Sequence, residues 1–138
     1  MWQYYALLSA FFAALVAILA KLGIRGIDAN LATAIRTVVI LILTWGVVLC
    51  TVPLSSVKSL TPANWLFLIL SGIATGLSWL FYFKALQLGD ASRVAPIDKL
   101  SVAITIVLAF VILRETVSWQ VLLGGTLIVA GSLVMLIK

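Results

Sequence analysis

Long apolar runs, parted by short polar breaks, take up almost the whole of this chain. A helix rises about 1.5 Å per residue and the hydrocarbon core of a bilayer is about 30 Å thick, so a spanning helix needs roughly 20 such residues. The 138 residues therefore leave room for four or five crossings and for no soluble domain. Composition points the same way. Hydrophobic residues make up 64% and charged residues 9%, against roughly 25% charged in a soluble domain, which is too few to cover a water-facing surface. The class implied is an all-α membrane protein.

Several function classes drop out at once. The net charge of +5 is spread over single Lys and Arg residues at helix ends, where they act as anchors and orientation signals. There is no basic run, so no nucleic-acid partner is expected. The chain has no histidine and one cysteine, Cys50. The usual metal ligand and the usual general base are both missing, and no carboxylate pair stands in for them. Neither an enzyme nor a bound cofactor or metal is expected. The segment Met1 to Ala20 lacks a positive start, and its apolar run exceeds the roughly 7–15 residues of a signal peptide. It reads as a retained first helix.

The runs predict five helices, over about 2–22, 30–52, 62–88, 92–113 and 118–137, in one domain covering 1–138. Trp2, Tyr4 and Tyr5 open the first with an aromatic belt. Asp28 or Asn30 caps the second. Thr61 followed by Pro62 starts the third, a capping hydroxyl before a residue that needs no N–H donor there. Asp90 or Ser92 caps the fourth, with Pro96 near its first turns. Gly72 and Gly76 on the third helix, and Gly124, Gly125 and Gly131 on the fifth, are candidate packing positions, since small residues let backbones approach in lipid. Lys21, Arg25, Arg93 and Lys138, with Arg36, Lys84 and Lys99 near the same side, outweigh Lys58 and Arg114 opposite. That bias favours an outside N-terminus and an inside C-terminus in the cytoplasmic membrane.

Charges inside such a chain are the first place to look for function, because a charge at mid-span costs about 2.5–3.5 kcal/mol on insertion scales. Arg36 stands about two turns inside the second helix. It either faces a cavity or a partner, or snorkels back to the headgroups. Asp98 and Lys99 are adjacent, so a continuous helix would point them about 100° apart and keep them from pairing. Asp98 is either an N-terminal dipole partner, a protonatable coupling group, or a partner for Arg36. Ser71, Thr75, Ser78 and Tyr82 fall on one face of the third helix, beside Trp79. They either line a substrate path or bond between helices. Arg36, Lys99 and Lys84 outweigh Asp98, so the interior is expected to be net positive and to suit a substrate with a carboxylate.

The last fifty or so residues carry a more specific pattern. ALQLGDASRVAPIDKLS opens the fourth helix, Glu115 follows it, and Trp119-Gln120 leads into a Gly-rich last helix. This resembles the end of an EamA-type domain of the drug/metabolite transporter superfamily, in its single five-helix form. Many members carry Pro in the fourth helix where this chain has Ser101, with Pro96 earlier. The resemblance implies five transmembrane helices forming one half of an inverted-repeat transporter. A lone half needs a second copy or a partner chain, so a dimer is implied, antiparallel if the chain inserts both ways. It also implies a secondary transporter, an exporter of small polar metabolites such as amino acids, working by alternating access with possible proton or ion coupling. The alternatives are a non-transporting scaffold or assembly subunit, or a cation or drug exporter. Arg36, Asp98, Lys99, Thr75, Ser78, Trp79 and Tyr82 are the candidates for substrate binding or coupling.

Overall fold

The computed structural model describes residues 1–137, and all its regular elements are helical. Lys138, counted above toward the orientation, lies outside the described residues. Helix α1 spans Trp2–Gly23, α2 Ala29–Thr51 and α3 Pro62–Leu88. Three shorter pieces follow: α4 (Ala91–Asp98), α5 (Ser101–Leu108) and a π-helical turn (Ala109–Leu113), before α6 (Trp119–Val134). A 3-10 helix, Leu54–Ser59, occupies the polar connection between α2 and α3.

The starts of these helices follow local chemistry. The Asp28 carboxylate accepts the backbone N–H groups of Asn30 and Leu31, so Asp28 rather than Asn30 caps α2. The Thr61 hydroxyl accepts from the Asn64 N–H ahead of α3. Ser118 accepts from Val121 and opens α6. Asp90 sits at the cap position of α4, where the Val94 and Arg93 N–H groups bond its carbonyl. Gly26, at φ +77°, supplies the left-handed residue that the tight turn into α2 requires.

Two predicted helices differ from what is observed. The fourth was expected as one element over 92–113 and is broken after Asp98. Proline has no N–H, so the Ser92 carbonyl loses its i→i+4 partner and the ladder is already weakened one turn before the break. The chain then tightens: Lys99 bonds Pro96, Leu100 bonds Ile97, Val102 bonds Lys99 and Ala103 bonds Leu100, all at i→i+3 spacing. Taken as one rod, Ala91–Leu113 is still long and apolar enough to cross a membrane, as are α1, α2 and α3. The fifth, expected over 118–137, is regular for 16 residues only. It ends in turns that tie Leu136 to Leu133 and Ile137 to Val134.

Two compact units emerge from the backbone: Leu22–Gln87, and Met1–Lys21 together with the chain from Leu88 onward. In the first, Ile24, Ala29, Thr33, Phe83 and Leu86 are buried. The Gln87 side-chain amide donates to the Ile27 carbonyl at 3.0 Å, tying the end of α3 to the turn before α2. In the second, Lys21 donates to the Gly89 carbonyl at 2.7 Å. There α5 lies close along α6, and a Cβ added at Gly125 would stand 2.8 Å from Ile106 Cδ1. A groove of about 360 Å³ runs beside that contact, lined by Ala103, Val107, Thr126 and Val129 among others. Most large apolar side chains remain exposed, Leu43 and Phe67 by about two thirds. Lipid tolerates such a surface; water does not.

The π-helical turn after α5 ends at Arg114, a non-glycine residue at φ 55°, ψ 33°, while the Glu115 N–H reaches back to the Ala109 carbonyl. Left-handed geometry costs an L-residue roughly 1–2 kcal/mol. Arg114→Gly should therefore raise stability by about 0.5–1 kcal/mol, after glycine's own entropy cost, measured by reversible denaturant unfolding in micelles. Gly125→Leu should lose about 1–3 kcal/mol by overpacking against Ile106, and Ile106→Ala in the same chain should recover part of that loss.

Candidate functional site

The Asp28 cap fixes the register of α2 and places Arg36 about two turns, or roughly 12 Å, inside it. Trp79 and Phe83 stand four residues apart on α3, which brings their rings to one face. The Arg36 guanidinium carbon lies 4.3 Å from the centre of the Trp79 ring and 5.1 Å from that of Phe83. Phe83 is 2% exposed; Arg36, Trp79 and Tyr82 are half-buried. Contacts of this kind hold a cation by the negative face of the ring and contribute about 0.5–2 kcal/mol.

The rings stabilise the charge but cannot bond Nη1. Arg36 Nη1 is buried and has no hydrogen-bond partner. A buried donor left unmade costs about 1–3 kcal/mol, more when it is charged. Guanidinium donors lie in the plane of the group and match the two oxygens of a carboxylate. What the arrangement offers is a charged planar donor, braced on aromatic faces, with donor capacity unspent.

The hydroxyls nearby are mostly spent. Thr33 and Thr37 on α2 donate to the carbonyls of Ala29 and Thr33, and Thr75 on α3 donates to that of Ser71, each at 2.8 Å. Thr75 and Ser78 are exposed. Thr75 thus bonds within its own helix. Lys84, at the far end of α3, donates to the Gln87 side chain at 3.1 Å and is exposed.

Asp98 and Lys99 correct the reading of a continuous helix. They do pair, Lys99 Nζ to Asp98 Oδ2 at 3.5 Å. Helix α4 stops at Asp98, and the turn at Lys99 (φ −71°, ψ −6°) lets its long side chain curl back. The two are 38% and 54% exposed, so the pair contributes little to stability. Of the five packing glycines, Gly125 meets a neighbour, while the space over Gly72, Gly76, Gly124 and Gly131 is open.

Two participants were not legible in the sequence. Phe83 reads as one more aromatic at a helix end, although its four-residue spacing from Trp79 is the signal that would have found it. Ser132 reads as a small residue of α6, yet its hydroxyl donates to the Pro96 carbonyl at 2.8 Å.

Comparison with known proteins bears on the whole chain. The family model described as EamA-like transporter family matches residues 1–137. An uncharacterized transporter in the cobO 3′ region of Sinorhizobium sp is 48% identical over 134 residues, covering 97% of this chain and 95% of that protein. An uncharacterized protein of Methanocaldococcus jannaschii is 29% identical over 96 residues, 67% of this chain and 70% of its own length. No solved structure matches.

The stacking can be measured directly. Trp79→Leu should cost about 0.5–2 kcal/mol beyond its lost packing, and most of that increment should vanish in an Arg36→Leu background. A double-mutant cycle on unfolding in mixed micelles reads the difference.

Proposed function

We propose what this transporter carries from one premise: the chain belongs to the EamA-like transporter family. It is a multi-pass membrane transporter of the drug/metabolite type. Its substrate, in this reading, is a small polar metabolite bearing a carboxylate, such as an amino acid or a related compound. The observation that carries the proposal is Arg36, braced on Trp79 and Phe83 with Nη1 buried and unpartnered. A carboxylate reaching the guanidinium in its plane supplies the acceptor that Nη1 lacks. Trp79 and Tyr82 then flank the cargo, while Thr75 and Ser78, exposed on the same helix, offer hydroxyl oxygens.

The rest of the reading concerns how such a chain works. Family inverted repeats pair two five-helix halves, so this chain acts with a second copy or a partner chain of the same size, by alternating access. Asp98 and Lys99, at the break in an apolar rod, are the groups placed to couple a proton or an ion. An outside N-terminus and an inside C-terminus is the orientation that the charge bias favours, and export across the cytoplasmic membrane is the direction this reading takes.

Counterflow in proteoliposomes tests the substrate. Vesicles preloaded with individual amino acids should take up the matching labelled compound. Arg36→Ala should lower that uptake at least tenfold, and Arg36→Lys should keep part of it, since lysine keeps the charge but not the planar fork. Uptake of lipophilic cations alone, unaffected by Arg36→Ala, would refute the reading.

A further inference from the structure

Hydroxyls in these helices follow a habit. Thr33, Thr37, Thr44, Thr51, Thr75 and Thr105 each donate to the carbonyl four residues earlier on their own helix. That is the cheap solution in lipid, where a free hydroxyl has no water to turn to. Ser132 breaks the habit. It is 4% exposed, and its hydroxyl crosses from α6 to the Pro96 carbonyl.

The acceptor it has chosen is the carbonyl at which the helix ladder fails. In a regular helix the Pro96 carbonyl would take the Leu100 N–H. Here Leu100 has turned to Ile97, and Pro96 receives the Lys99 N–H at 3.0 Å together with the Ser132 hydroxyl. A carbonyl has two lone pairs, and both are now used. Gly125, about two turns earlier on α6, meets Ile106 of α5 on the far side of the break. Helix α6 therefore holds the broken rod on both sides: by a hydrogen bond above the break and, below it, by the end of the Ile106 side chain seated over Gly125.

We propose that Ser132 is a positioning residue: by satisfying the Pro96 carbonyl it stabilises the break after Asp98 and so fixes where the Asp98–Lys99 pair leaves the helix. Without the hydroxyl, the Pro96 carbonyl competes with that of Ile97 for the Leu100 N–H, a regular turn can close, and the ion pair loses its fixed exit. This goes beyond the substrate reading and holds whether or not Arg36 binds cargo.

Hydrogen exchange of the full chain in lipid nanodiscs tests it without any substrate. Ser132→Ala should speed exchange of the amides at 99–103 by about 3- to 10-fold, the effect of losing one hydrogen bond. Peptides from α2 should not change. Ser132→Thr, which keeps the donor, should stay near the original rate. In a Cys50→Ala background, Lys99→Cys should also change its labelling rate with a water-soluble maleimide when Ser132→Ala is added, and an unchanged rate would overturn the proposal. Unchanged exchange at 99–103, or equal acceleration along the whole chain, would overturn the proposal. Should Ser132→Ala fail to fold, Ser132→Cys, a weak donor of similar size, takes its place under the same two criteria.

Discussion

In hydrocarbon a backbone N–H or C=O has only the protein to bond with, and an unmade bond costs several kcal/mol. Everything regular in this chain follows from that constraint. Helices close their bonds locally, so a sequence of apolar runs becomes a set of helical rods, with hydroxyls folded back onto their own turns. Caps matter for the same reason. Asp28, Thr61 and Ser118 satisfy the first free donors of α2, α3 and α6 from the side. The informative places are those where this local solution is refused, and there are two kinds.

One kind is a charge. Arg36 brings five donors into an apolar helix, and aromatic faces stabilise its cation while leaving Nη1 unbonded. An apolar residue of equal volume would make the same helix without that penalty. The other kind is the break after Pro96, where neither the backbone nor the side chains follow the regular pattern. Function in membrane proteins concentrates at such interruptions, because irregular backbone is tolerated where protein or water supplies the missing bonds.

How much of this could be read from residues alone depends on how local each cause is. The bounds of the first three helices and the caps at Asp28 and Thr61 were legible, because the signals lie within four residues of their effects. The all-helical membrane class was legible from apolar length alone. The break in the fourth helix was half-legible: Pro96 announces a lost bond, but not the four i→i+3 bonds that tighten the chain between Pro96 and Ala103. The pairing of Asp98 with Lys99 was misread because it depends on that tightening. Arg114 in left-handed geometry carries no sequence mark at all, since glycine or asparagine is the residue that usually signals it. In the candidate site Arg36, Trp79 and Tyr82 were legible as residues of interest. Their geometry was not, because a stacking distance is set by how two helices approach.

The shortness of α6 has a consequence of its own. Sixteen residues reach about 24 Å, while α1 and α2, at 22 and 23 residues, reach about 33–35 Å. A membrane of ordinary thickness is therefore mismatched to the last helix by several ångströms while fitting the first two. Thinning of the lipid around α6, or drawing the flanking turns at Met135–Ile137 inward, makes up the difference at a fraction of a kcal/mol per ångström. Acyl-chain length thus becomes a variable to which the two ends of this sequence respond unequally.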